Sequence, residues 1–222
     1  MWLTQQDRRP PLIACMIFAV GSHAGVPAPD ILLPMVLNVN VHRTLDDANV
    51  RRARDSVAAL MASAGIRSQW HDCHGDGCPD PLDTSLSLDV LLLPQASRLD
   101  GSRVGEVMRN AALRSPGVLV YVSALLDRLQ AIQRSTRGRS DVRLWTLAPG
   151  DLVGLTIAHE IGHALGLHHD RKSRIMKAQF DADDFAALRS VRFDHSEGST
   201  MRATLQEYLR TAPSSVTQGP SR

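Results

Sequence analysis

The sequence predicts an α+β domain with a mixed sheet of about four to five strands. Three observations point there. Short segments carry strand-like apolar patterning, one long amphipathic helix separates the first two of them, and the C-terminal third is patterned mainly as helix. The 222 residues suit one domain with trimmings at its ends, and such a chain buries a core without staples.

Residues 1–24 read as a signal peptide. Arg8 and Arg9 give a positive start, LIACMIFAV (12–20) an apolar run, and Ser22-His23-Ala24 a small-residue cleavage site. A bilayer span takes about 20 residues, so the run implies export to the periplasm or beyond and no stable membrane insertion. A buried N-terminal strand is the competing reading. GVPAPDILLP (25–34) is a Pro-punctuated lead-in, and the domain proper spans 35–210. MVLNVNVH (35–42) alternates like a half-buried strand. From Thr44 to Ala64, Val50, Val57, Leu60 and Met61 mark one side of a helix that Gly65 closes. IRSQWHDC (66–73), SLDVLLLP (87–94) and GVLVYVS (117–123) are further strands, LLDRLQAIQR (125–134) is helical, and STRGRSD (135–141) is a loop. A helix over 151–165 stops at Gly166, and helices follow over 181–190, capped by Asp181, and over 196–210. Residues 211–222 have the composition of a disordered tail.

Net charge is +2, of which Asp7, Arg8 and Arg9 supply +1, so nothing in the balance asks for nucleic acid as a partner. Arginine outnumbers lysine 23 to 2, a bias that fits a GC-rich genome better than a phosphate-binding surface. Cys15 leaves with the signal, while Cys73 and Cys78 bracket HGDG and read as a short disulfide in an oxidising compartment. A second metal site from His71, Cys73, His74 and Cys78 is the alternative, but ligands so crowded in one loop rarely converge on one ion. His195, with His71 and His74, reads as a surface residue. Asp181, Asp183 and Asp184 read as first-turn helix charges and not as a calcium site.

Chemistry concentrates in AHEIGHALGLHHD (158–170), which holds four of nine histidines and one of four glutamates. His159 and His163 stand one helical turn apart on one face, so both imidazoles can reach one zinc ion at about 2.0–2.1 Å. Glu160 lies about 100° round the helix, near the ion without displacing a ligand. Gly166 permits the left-handed turn that brings a third histidine back. The spacing HxxGxxH selects His169 and leaves neighbouring His168 without a required role. With this composition the extended pattern arises by chance on the order of once in 10⁵ sequences, so a helix that merely happens to be histidine-rich is a poor account.

HEIGHALGLHH resembles the extended zinc motif of metzincin metallopeptidases, and HEIGHALGL is especially similar to the matrixin-like group. The resemblance is strong over residues 155–180. It implies one catalytic Zn²⁺ on His159, His163 and His169, Glu160 as general base, and a Met-turn beneath the metal, for which SRIM (173–176) supplies Met176. It also implies a sheet whose strand 117–123, which precedes the zinc helix, is either the edge on which an extended substrate pairs or an interior strand. Asp170 stands where matrixins usually have serine, and either orients a ligand or anchors the turn. Lys177-Ala178 replaces the usual Tyr-Pro, so the metal-side tyrosine of astacin- and serralysin-like members is missing. Neither calcium sites nor a substrate pocket carry over.

The function so implied is zinc-dependent endopeptidase activity on peptides or proteins by a monomer. Glu160 takes a proton from a water that the ion acidifies. The alternatives are a non-catalytic zinc-stabilised binding module and a zinc amidase acting on non-protein substrates.

Overall fold

Alternation at two residues per repeat puts Met35, Leu37 and Val39 in the core and builds the first strand, β1 (Leu33–Val41). The computed structural model describes residues 32–41, 45–73, 86–94, 103–109, 116–135, 147–181, 183–184 and 187–211. The signal peptide, Cys15, His74, Cys78, most of the 135–141 loop and the tail therefore lie outside the described residues.

After β1 come α1 (Asp47–Ser63), β2 (Ile66–Asp72), β3 (Leu86–Leu93), β4 (Gly105–Met108), β5 (Gly117–Tyr121), α2 (Val122–Ser135), α3 (Pro149–Ala164), a 3₁₀ turn at Leu188–Ser190 and α4 (His195–Thr211). The sheet runs β2-β1-β3-β5-β4. β1, β2, β3 and β5 are parallel neighbours, and β4 pairs antiparallel with β5. The fold is α+β with a five-stranded mixed sheet.

β5 is interior, buried at all five residues between β3 and β4, so the edge reading of strand 117–123 is wrong. The edge is β4, which sequence patterning does not reveal. Its four residues are too few to display an alternation, and all are half-buried. β5 also runs into α2 without a loop, so Val122 and Ser123 belong to the helix.

α1 starts at Asp46, whose side chain accepts from the Asn49 N–H at 2.8 Å, and not at Thr44. Gly65 (φ +76°) turns the chain into β2. α3 starts two residues before the sequence suggests, with Pro149 in its first turn. Its Gly150 N–H donates to Asn49 Oδ1 of α1 at 2.9 Å, so the cap comes from another helix. The two helices lie so close that a Cβ on Gly154 would meet Ala53 O at 2.8 Å.

Asp181 Oδ1 accepts from the N–H groups of Asp183 and Asp184, the cap expected of it, although between 181 and 190 the described helical residues are 183–184 and the 3₁₀ turn. Asp194 and Glu197 cap α4 reciprocally, and Arg202 of that helix donates to Ala64 O at 2.7 Å. Cys73 is buried and disulfide-bonded, so it is no thiolate ligand for a second metal. Among the described residues no helix is long and apolar enough to cross a membrane.

Candidate active site

LVGLTIAHEIGHA makes α3 apolar nearly all round, and the fold buries it nearly all round, against α1, α2, β4 and β5. His159 and Glu160 are carried into that interior, at 7% and 5% exposure. Gly166 takes φ +91° after Leu165 and reverses the chain, so that His169 returns over the last turn of the helix.

The Nε2 atoms of His159, His163 and His169 converge, at 3.1 Å for 159–163 and 163–169 and 3.3 Å for 159–169. Ligand atoms about 2.0–2.1 Å from one tetrahedral ion stand roughly 3.3–3.4 Å apart, so the spacing is that of a metal site. Proton placement agrees. His159 Nδ1 lies 2.6 Å from Ile175 O and His163 Nδ1 2.8 Å from Leu167 O. A carbonyl only accepts, so both Nδ1 atoms carry the hydrogen and both Nε2 atoms present bare lone pairs to each other. Lone pairs at that distance repel unless a cation lies between them. Burial lowers the His159 pKa to about 4 and lowers that of His163 too, which keeps the imidazoles neutral and ligating. The three histidines form a site for one Zn²⁺. His168 is exposed and outside the trio.

The loop that returns His169 is self-braced. Asp170 N donates to Met176 O at 2.9 Å, and Asp170 Oδ1 accepts from Lys172 N at 2.9 Å, so Asp170 anchors the turn. Buried Ser173 Oγ accepts from the N–H groups of Ile175 and Met176. Met176, 1% exposed, packs beneath the zinc helix so closely that a Cβ on Gly162 would meet its sulfur at 2.6 Å.

Glu160 faces a cleft of about 540 Å³ shared with His159, His163 and His169. Burial, and secondly the charge of Glu106, push its pKa up to about 7. A bound cation opposes that rise. The β4 backbone lies directly on this carboxyl, since a Cβ on Gly105 would meet Glu160 Oε1 at 2.7 Å. Glycine at 105 is thus what lets edge strand and carboxyl share the cleft. Glu106 accepts from the Tyr121 hydroxyl and pairs with Arg103 at 3.4 Å. Burial, then the hydrogen bond and charge of Glu106, push the Tyr121 phenol up to about 12 and keep it a donor.

Gly105, Glu106, Tyr121 and Arg128 line or support the cleft without any sequence signal, because the pairing and packing that bring them there join distant segments. Phe180 stacks edge-on against the His159 ring at 5.8 Å. A separate hollow of about 670 Å³ beside α1 and β2, near Arg51 and Trp70, is larger but has no converging metal-ligating side chains among the described residues.

No protein-family model matches the chain, and no curated protein sequence does. Among solved structures it is similar to archaemetzincin from Methanopyrus kandleri, with TM-score 0.42 and 16% identity over 82% of this chain and 99% of that one. It is also similar to a zinc-dependent peptidase from Methanocorpusculum labreanum, with TM-score 0.43 and 13% identity over 75% of this chain and 99% of that one. Likeness at that level is loose, and the reading of the site rests on its own geometry.

Proposed function

We propose that the protein is a zinc-dependent endopeptidase of metzincin type. The observation that carries this is the buried Glu160 carboxyl opening into the same cleft as three converged imidazoles. A purely structural zinc site has no use for a carboxyl poised there and fills its fourth position with protein.

His159, His163 and His169 hold the ion. When bound, zinc supplies a Lewis acid that polarises the scissile carbonyl and acidifies the attacking water. Glu160 receives the proton of that water and hands it to the leaving amide nitrogen, a task suited to a carboxyl whose burial raises its proton affinity. The outer edge of β4 has no strand partner among the described residues, so an extended peptide can hydrogen-bond to it and lie along the cleft. Tyr121 and Arg103 hold Glu106 on that wall, beside the general base.

The finer, matrixin-like grouping has only the HEIGHALGL string behind it, and Asp170 and Ala178 depart from it. Export by the N-terminal signal and a Cys73–Cys78 bridge belong to the same proposal, supported by the disulfide-bonded state of Cys73.

The test is cleavage of a denatured protein mixture by the zinc-loaded protein, with and without a chelator. Activity is expected to vanish on chelation and to return with zinc. In Glu160→Gln it should fall by roughly 10²–10⁴ while zinc remains bound. Full activity in that variant would remove Glu160 as the base. Stoichiometric zinc without cleavage of any peptide pool points to a binding module, and cleavage confined to non-peptide amides points to the amidase.

A further inference from the structure

Besides β4 and the three histidines, the cleft is lined by residues of α2, of the first half of α3 and of the segment 177–180. Leu125, Leu152 and Leu155 give it apolar walls, and Arg128 reaches into it from α2. Among the described residues three cations, Arg103, Arg128 and Lys177, line the cleft, and two of them pair with carboxylates. Arg103 pairs with Glu106 at 3.4 Å, and Lys177 lies 2.5 Å from Asp184 and 4.0 Å from Asp181. Arg128 has only a 3.4 Å contact to the Phe180 carbonyl, and no carboxylate among the described residues pairs with it. Phe180 in turn packs on His159. This guanidinium, without a carboxylate partner among the described residues, therefore lines the same cleft as the leucines and lies one residue removed from His159.

A substrate side chain that leaves the backbone beside the scissile bond and enters this part of the cleft meets both leucines and a guanidinium. The side chain that satisfies both has an aliphatic stem and a terminal carboxylate. We propose that Arg128 makes the enzyme selective for an acidic residue, glutamate foremost, immediately beside the bond it cleaves. This rests on the endopeptidase reading above. The physical basis is a charge-assisted, two-pronged hydrogen bond in a partly desolvated site, which an uncharged amide of the same shape cannot reproduce.

Peptides differing only by Glu, Gln or Lys at each position flanking the cut provide the test, with products read by mass spectrometry. Glutamate at one adjacent position is expected to exceed glutamine by roughly tenfold or more in kcat/KM. That ratio should shrink as salt is raised, fall to about one in Arg128→Gln, and turn toward lysine in Arg128→Glu. A second measurement does not depend on turnover: binding of short alanine peptides carrying one Glu or one Gln to zinc-loaded Glu160→Gln protein, followed by fluorescence anisotropy. Discrimination in binding without cleavage by the wild type would sink the peptidase reading and uphold the role of Arg128. Cleavage without Glu/Gln discrimination, or discrimination that survives in Arg128→Gln, overturns the proposal. If neither variant folds, the wild-type ratio and its salt dependence decide.

Discussion

α1 and α3 are helices of nearly equal length packed against each other, and they are built on opposite plans. α1 buries four of its seventeen residues along one stripe, while α3 buries thirteen of sixteen. In α1 most polar residues face water, while Asn49 reaches across to cap α3. In α3 two ionisable groups, His159 and Glu160, have been taken into the interior with the rest. Burial then does chemistry, since it drives the imidazole toward the neutral, ligating form and the carboxyl toward the protonated one. The same packing that stabilises an apolar helix tunes a polar group placed on it.

The comparison is sharpest in the metal-free protein, where pH separates the two plans. Glu160 keeps its proton in the folded state up to about pH 7, against 4.5 when exposed. Its contribution to stability is therefore complete below 4.5 and is lost as pH rises through 7. Glu160→Gln has no such loss. Denaturant melts should show the metal-free variant gaining on the metal-free wild type across that window, by up to about 3 kcal/mol above pH 7. The gain should shrink once zinc is restored, because the cation favours the carboxylate. A flat difference between variant and wild type would mean that the carboxyl is not desolvated. His159 acts with the opposite sign, its stability being lost as pH falls from 6.5 toward 4, so the wild type alone shows only the balance of the two.

Next in size is the seam beneath the metal. Gly162→Ala places a methyl group against the Met176 sulfur and should cost about 1–3 kcal/mol. Weaker zinc affinity should accompany the loss, measured by competition with a chromophoric chelator. Unchanged affinity and stability would mean that the methionine moves aside freely. The smallest effect tests what joins the helices. Asn49→Ala removes the α1 side chain that caps Gly150 and should lower the melting midpoint by the equivalent of about 1 kcal/mol. Arg54→Ala, on the exposed face of the same helix, should stay within about 0.5 kcal/mol.

Legibility follows the same division. The stripe of α1 could be read because its apolar spacing declares one buried face. The full burial of α3 could not, since a continuous apolar run does not say what surrounds it. The three imidazoles grouped by HExxHxxGxxH are the three that the structure gathers, because an i, i+4 pair and a glycine turn set their positions within eleven residues. The start of α1 and strand 117–123 as an edge were open to error for the converse reason. Which residue caps a helix depends on where the chain enters it, and which strand lies outermost depends on pairings between distant segments.

The amino-acid sequence by itself thus determined most of the elements and the metal-ligand trio, features governed by helical and strand periods and by one left-handed turn. Only the tertiary structure decided that β4 is the edge, that Gly105 leaves room for the Glu160 carboxyl, that Asn49 caps α3 and that Arg128 lines the cleft. Together these join residues between 9 and 101 positions apart, juxtapositions set by how elements pair and pack and not by any local period.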